Sequence, residues 1–372
     1  MANKIIFVVP NRMPTEKAYG VTILETAKAT INLGIQAEIW CTSNSNQELD
    51  TDLIKIKYQE FRKSTFKILE FIFFQINRFR FLNKCISQFP EREIIVWTRD
   101  VLGMILILRK TTQVKIALEL HHPIGTLDRC IVKFFSNLIG NSGKRVRVFT
   151  LSEVLKSRLQ PVLKDKFGGL IHMAAPNEFF ESNPKEFSKP IITVGYIGKA
   201  QSSGISNNLD EILGQLVIEL EKFGNLYLKM VGIEDGLRES LLKRVPEYLI
   251  ENQRVKIIGH VSRDEVLNYL ADIDIGLVPY ISNAYNDYRF PIKIVEYGSM
   301  RCALLFNDSW NLRSLIGSNG VPYQHDSQET LHSALLKLIS EPGCLNYYKT
   351  SAFEWAKKFT YSRRVEIVLD SF

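Results

Sequence analysis

A chain of 372 residues exceeds one ordinary hydrophobic core and predicts two domains, each of about 150 to 200 residues. With 45% apolar and 23% charged residues it is globular and can bury a large core, which excludes a disordered chain. A net charge of +7 and a pI near 9.0 point to anionic company, whether nucleotide, phospholipid or nucleic acid.

In chain order, "KIIFVVP", "QAEIWCT", "EIIVWTR", "VKIALEL" and "RVRVFTLS" are short β-rich runs, with helical patterns such as Val21 to Leu33 between them. The opening "MANKIIFVVPNRMP" has too short an apolar run for a signal peptide, and no stretch reaches the roughly 20 apolar residues of a bilayer span. Gly20 precedes the first helical pattern. There it either lets the backbone approach a phosphate at the helix start or serves as a plain turn residue. Residues 61 to 85, "FRKSTFKILEFIFFQINRFRFLNKC", carry six basic residues and one acid among Phe, Ile and Leu. Such a helix can lie in an anionic membrane surface, or simply cover the domain with a solvated basic face. Nucleic acid fits less well, because the basic residues are interleaved with apolar ones and no binding motif accompanies them.

Two strand ends carry candidate chemistry. "VWTRD" places Arg99 beside Asp100, where a local ion pair is expected. "ALELHHP" offers Glu119, His121 and His122, and strand alternation turns Glu119 and His121 to one side. A histidine there can donate to a sugar hydroxyl or to developing negative charge, or can be held by the backbone. No third ligand stands at a metal-binding spacing. "GNSGKR" at 140 to 145 fails as a Walker loop, and there is no G-x-G-x-x-G. The polar segment "ESNPKEFSKP" at 181 to 190 reads as the linker between domains at 1–185 and 190–355. Five scattered cysteines without a C-x-x-C pair suggest a reducing cytoplasm.

The second block repeats the alternation: "IITVGYIG", "LYLKMVG", "RVKIIGH", "DIGLVPY" and "CALLFND", with helices such as Asn208 to Lys222 and Arg263 to Leu270. Near-continuous apolar strands separated by helices predict two doubly wound α/β domains with parallel sheets, and a ligand in the cleft at the carboxyl ends of the strands. In "VGYIGKAQSSG", Gly198, Lys199 and Gly204 form a loop suited to a diphosphate. In "NDYRFPIKIVEYGSMRCALLFND", Pro291 is expected as the first residue of a helix, and Phe290 before it has no capping side chain, so an external anion can meet the helix start. Lys293, Glu296, Tyr297 and Met300 share a stripe of that helix. A Lys293–Glu296 pair contributes only about 0.2 to 0.5 kcal/mol, whereas an unpartnered buried carboxylate costs several kcal/mol. Glu296 is therefore expected to face a polar cleft and accept hydrogen bonds from vicinal hydroxyls such as those of a ribose.

These segments, together with "RVKIIGHVSRDEVLNYLADIDIGLVPY" and the closing "WAKKFTYSRRVE", resemble in order and spacing the family 4 retaining glycosyltransferases of the GT-B fold. "EKAYGVTILETAKA" and "ELHH" are similar to that family's acceptor-domain signatures. The likeness covers most of the chain and is strongest over 191–361. It implies two Rossmann-like domains facing across a cleft, with a last helix at 356–372 crossing back to the first domain. It also implies a nucleotide-diphosphate sugar as donor, a glycan or lipid-linked acceptor, and a place in cell-surface polysaccharide or glycolipid assembly. No metal or other cofactor is implied, and the enzyme would be cytoplasmic, peripheral on the inner face of the membrane. The resemblance further implies transfer with retention, by front-face attack without a covalent intermediate. By the same resemblance Glu296 binds the ribose, Pro291, Ile292 and Lys293 lie near the donor, Gly20 lies by the diphosphate or acceptor, and His121 lies beside the transferred sugar.

Two departures stand out. The family's paired acidic motif has a glutamate eight positions before Glu296, where this chain has Tyr288, flanked by Asp287. Asp287 thus joins His121 and Glu119 as a catalytic candidate. The family's Arg and Lys after the first C-terminal strand are not both present; Lys199, beside Gly198, is the nearest, with Arg289 or Lys293 as substitutes. A catalytically silent relative that binds nucleotide or glycan as a partner subunit is the rival these departures leave open.

Overall fold

Runs such as "IIVWT" and "ALLFN" are buried at every position, which places them in the interior of sheets covered on both faces. The computed structural model describes residues 2–13, 18–43, 54–59, 67–87, 94–110, 114–121, 137, 139, 145–182, 191–202, 205–283 and 285–372. His122, Gly204, residues 140–144 and the expected linker from 183 onward lie outside that set.

The chain divides into two units, one comprising Met1–His172 with Tyr361–Phe372 and the other Met173–Thr360. In the first, the strands β1 (Lys4–Met13), β2 (Gln36–Ser43), β3 (Lys55–Gln59), β4 (Ile94–Thr98), β5 (Lys115–Leu120), β6 (Val146–Thr150) and β7 (Phe167–Leu170) form a parallel sheet in the order β3-β2-β1-β4-β5-β6-β7. In the second, β8 (Ile192–Ile197) is followed by a short hairpin of β9 (Gln201–Ser202) and β10 (Ile205–Ser206). Then β11 (Leu226–Val231), β12 (Val255–Ile258), β13 (Ile275–Val278), β14 (Ala303–Asn307) and β15 (Gly320–Tyr323) complete a parallel sheet ordered β12-β11-β8-β13-β14-β15. Both orders start from an inner strand, run outward to one edge, then return to the other side. Each therefore has a point where the order reverses, between β1 and β4 and between β8 and β13, and there the carboxyl ends of the strands open a crevice.

Three local differences from the sequence expectation have physical causes. The unit boundary falls at His172, ahead of the polar segment, because the helix Asn177–Glu181 buries Phe179 in the second unit and Ser182 reaches the Met300 sulfur there. The first helix starts at Ala18, so Gly20 lies buried within its first turn rather than before it. Pro291 keeps an extended conformation (φ −70°, ψ 115°) and occupies the capping position, one residue ahead of the helix Ile292–Ser299. At the other end of the chain, Tyr361–Asp370 packs beside the helix Ala18–Asn32 in the first unit. The carbonyls that follow it accept from Arg147 (Ser371, 3.0 Å) and Lys115 (Phe372, 3.3 Å).

Candidate functional site

The reversal point of the second sheet gathers cations over a glycine floor. Gly198, directly after β8, has φ +129°, and a Cβ there would lie 2.3 Å from Lys293 Nζ. Glycine is needed for the lysine to lie across the backbone. Gly232, after β11, has φ +87° and presses on the same spot, since its Cβ would come within 3.2 Å of Gly198 Cα. Lys293 Nζ sits 4.9 Å from the Tyr196 ring centre and 5.8 Å from that of Tyr280. The Arg289 guanidinium stacks 3.8 Å over Tyr280 and 5.3 Å from Tyr285. Among the described residues no carboxylate pairs with Arg289 or Lys293, and Arg289 Nε and Nη2 are buried without a hydrogen-bond partner. The tyrosines register the resulting field. Burial pushes the Tyr280 phenol up, but Lys293 and Arg289 bring it below its ordinary value, while burial and Tyr280 together drive Tyr196 well up. Lys199 is exposed. Its carbonyl accepts from Tyr196 (2.6 Å) and Asn207 (2.8 Å), which fixes the loop and leaves the side chain at the surface.

The loop that carries Arg289 is pinned by asparagines. Asn311 Nδ2 donates to the carbonyls of Asn286 and Arg289, both at 2.8 Å, and Asn307 Nδ2 donates to that of Tyr280 at 3.1 Å. Asn283 Oδ1 accepts from the backbone N–H groups of Tyr285 and Asn286, closing a side-chain turn. Asp287, half-buried, accepts the Ser282 hydroxyl on both oxygens (2.8 and 2.9 Å), and Tyr288 beside it is half-buried too.

Glu296 is buried, and its counter-charge comes from elsewhere than Lys293. Arg263 Nη1 donates to Oε1 at 2.8 Å, and the Arg263 guanidinium lies 5.2 Å over the Phe179 ring. Arg263 opens a helix whose start is fixed by a capping box of Ser262 and Glu265. The next residue of the stripe, Tyr297, accepts the Ile197 N–H at 2.8 Å on its buried hydroxyl, tying the helix to the end of β8. Gly276 in β13 makes room for it, because a Cβ there would lie 2.4 Å from the Tyr297 ring. Pro291 supplies no side-chain cap, so the first turn of the helix offers backbone N–H groups at the same strand ends that hold Gly198.

In the first unit, the ends of β4 and β5 converge on one buried carboxylate. Glu119 Oε1 accepts from Arg99 Nη2 (2.9 Å), Oε2 from Trp97 Nε1 (2.8 Å), and both oxygens from Arg364 Nη2 (3.0 Å each). His121 Nε2 lies 2.5 Å from Oε1. Burial alone would raise the Glu119 carboxyl, yet Arg364, Arg99 and His121 hold it well below the usual range. Burial first, and then Arg99, lower His121 to about 4, so its ring is neutral near pH 7 with the hydrogen on Nε2 directed at Glu119. A small void of about 10 Å³ adjoins Glu119 and is lined by Trp97, Arg99 and Arg364 among others. Glu119 Oε1 holds the His121 ring through Nε2. The expected Arg99–Asp100 pair does not form; Asp100 instead pairs with the buried Arg78 of the helix Lys67–Ile86 and accepts the Gly103 N–H at 2.8 Å. Among the described residues no three His, Cys, Asp or Glu side chains gather as a metal site.

Sequence reasoning brought Gly198, Lys293, Arg289 and Glu296 to one strand-end region and joined Glu119 to His121. It missed Arg263, Tyr280 and Arg364. Tyr280 ends the apolar run "DIGLVPY" and could have been found as a strand-end residue; the two arginines carry no local signal.

No protein-family model and no curated protein matches the sequence. Solved structures do. A glycosyltransferase from Rickettsia africae superimposes with a TM-score of 0.74 at 16% identity, over 99% of this chain and 97% of its own. Anabaena HepE in complex with UDP gives 0.69 at 12%, over 99% and 100%. WaaG, a glycosyltransferase involved in lipopolysaccharide biosynthesis, gives 0.61 at 14%, over 97% and 98%. Together with the two all-parallel sheets, these likenesses give the chain the GT-B fold.

Proposed function

We propose that the chain is a retaining glycosyltransferase that moves a sugar from a nucleotide diphosphate to a glycan or lipid-linked acceptor. The observation that carries this reading is the pair Arg289 and Lys293, two cations without a carboxylate of their own among the described residues, set over Gly198 at the reversal point of the sheet. Such a place suits a diphosphate. One structural neighbour holds UDP, and another takes part in lipopolysaccharide assembly, which agrees with that donor and acceptor class.

In the proposed reaction the diphosphate lies against Lys293, Arg289 and the helix start at Pro291 and Ile292, with Lys199 reaching it from the surface loop and Gly20 near the donor or acceptor. The bond from the sugar's anomeric carbon to the phosphate oxygen breaks, the acceptor oxygen bonds to that carbon from the same face, and the acceptor's proton passes to the departing phosphate. Negative charge grows on the leaving group, and fixed cations lower the barrier because they need no reorganisation when it appears. Glu296, with Oε1 held by Arg263, accepts the ribose hydroxyls. His121 stands beside the transferred sugar with Glu119 behind it. Asp287, next to Tyr288, takes the place of the missing acid.

Calorimetry and thermal shift with UDP, GDP, ADP and their sugars test the reading on the wild type, Glu296→Ala and Lys293→Ala. One nucleotide is expected to bind selectively, with each substitution weakening it by about 1 to 3 kcal/mol, the range for losing hydrogen bonds to a charged group. A folded protein that binds none of them would end the proposal.

The acceptor side would meet a membrane through the helix Lys67–Ile86. Phe73, Ile76 and Phe79 are 51%, 41% and 43% exposed, with Arg80 and Lys84 exposed beside them. Arg78 is the exception to the basic surface, being buried against Asp100. No helix of the described residues is long and apolar enough to cross a bilayer, so the contact would be peripheral.

A further inference from the structure

Arg289 and Lys293 share one buried neighbour that carries no formal charge near pH 7. Tyr280 stands two residues after β13, and its ring centre lies 3.8 Å from the Arg289 guanidinium carbon and 5.8 Å from Lys293 Nζ. At 3.8 Å an upright guanidinium would press a nitrogen into the ring, so the two planes lie face to face. Tyr285, at 5.3 Å, is farther away. Both members of the stack are tied to one segment, since Asn307 Nδ2 donates to the Tyr280 carbonyl (3.1 Å) and Asn311 Nδ2 to that of Arg289 (2.8 Å). Elsewhere in the same unit, Arg263 and Lys349 are matched by the carboxylates Glu296 and Asp274. Arg289 has no such match among the described residues. The face of the Tyr280 ring, electron-rich at its centre, is what meets its charge.

Resting on the reading of Arg289 and Lys293 as the cations of the diphosphate, we propose that Tyr280 is a positioning residue. Its ring fixes the plane of the Arg289 guanidinium and stands where a carboxylate would otherwise neutralise it. Arg289 Nε and Nη2 form one edge of the guanidinium, the edge that can donate side by side to two oxygens of a phosphate, and both are without a hydrogen-bond partner. A buried donor left unmet is uncommon, and a site whose acceptor arrives with the ligand accounts for it. A carboxylate in place of the ring would satisfy that edge and cancel the charge an anion needs. The ring holds the guanidinium by its face and leaves the edge unused, because a π face attracts the cation without accepting the in-plane hydrogens.

The test has a ligand-free arm and a binding arm, both on the full chain. In proton–nitrogen spectra of the arginine side chains, assigned with Arg289→Lys, the Arg289 Nε–H signal is expected to be shifted upfield by the ring beneath it. Tyr280→Phe should keep that shift and Tyr280→Leu should abolish it. Where Tyr280→Leu does not fold, Tyr280→Met takes its place, since a flexible side chain fills the space without a ring. An unshifted wild-type signal, or one unchanged in the folded ringless variant, overturns the assignment. In calorimetry with inorganic pyrophosphate, Tyr280→Leu is expected to weaken binding by about tenfold, the order of a cation–π contact held out of water, and Tyr280→Phe to recover most of it. In an Arg289→Ala background the leucine should add little, because the ring acts through the arginine. Equal losses in both backgrounds would show a merely structural ring and overturn the proposal. A wild type that binds no nucleotide, yet gives a shifted Arg289 signal that Tyr280→Leu abolishes, ends the donor reading alone and supports the hold of Tyr280 on Arg289.

Discussion

His121 and Glu119 titrate against the fold in the same direction. The histidine's midpoint is about 4 when folded and about 6.5 when unfolded, so the unfolded chain takes up the proton first as pH falls. The sign follows. Stability is fully present above the unfolded value and declines as pH falls from about 6.5 toward 4, and Glu119, whose carboxyl is also depressed, adds a further loss below the ordinary carboxylate range. Linkage gives a loss on the order of 2 kcal/mol at pH 5 from the histidine alone. Urea unfolding at pH 7, 6 and 5 should show it, and His121→Asn should flatten the profile over that interval. A wild type equally stable at pH 7 and 5 would contradict the burial of a neutral imidazole. The same scale shows what a sequence hides. That Glu296 needed compensation was legible from its apolar neighbours. That Arg263 supplies it was not, since the two lie 33 residues apart on different helices. Arg99 and Asp100 looked like partners because they are adjacent, but each has a stronger partner on another element, Glu119 for the arginine and Arg78 for the aspartate.

The helix Lys67–Ile86 divides into two faces at the level of the element. Leu82, Cys85, Ile86 and the Arg78–Asp100 pair face inward, while Phe73, Ile76 and Phe79 stand out with Arg80 and Lys84. Exposed aromatic area pays no penalty for leaving water at a membrane boundary, and each basic residue near an anionic surface adds about 1 kcal/mol. Co-sedimentation with phosphatidylglycerol vesicles is expected, with little binding to phosphatidylcholine alone. The double substitution Phe73→Ser with Phe79→Ser should weaken binding by about tenfold or more. Equal binding to both vesicle types, or none to either, would leave the helix as an ordinary cover. Strands follow a different logic. The runs that became β1, β4, β5, β8, β13 and β14 were legible because buried apolar stretches have one explanation in an alternating α/β chain. β3 "KIKYQ", β7 "FGGL" and β15 "GVPY" were not, because lysine, glycine and proline hide short strands whose existence depends on the neighbour they pair with.

For the whole molecule, the α/β class and the two-unit division were readable from the repeated alternation of strand and helix. The boundary was not, because the chain crosses at His172 and again after Thr360, away from the polar, proline-bearing segment at 181–190. The first unit is thus discontinuous in sequence, and its last helix brings Arg364 to a carboxylate whose other described partners are one arginine, an indole and an imidazole. Removing one partner of a buried ion pair costs about 3 to 5 kcal/mol. A chain ending at residue 360 should therefore lose the calorimetric transition of the first unit and keep that of the second, which is contiguous from Met173 to Thr360. Two unchanged transitions would show that the helix Tyr361–Asp370 is dispensable.

Discontinuity also bears on the order in which the protein matures on the ribosome. Domains generally fold as they emerge, the N-terminal one first. Here the segment Met173–Thr360 is complete before residues 361–372 are made, so the unit that is synthesised first is finished last. Until then Glu119 waits without Arg364, and a nascent chain stalled short of residue 364 would hold a finished second unit beside an unfinished first one.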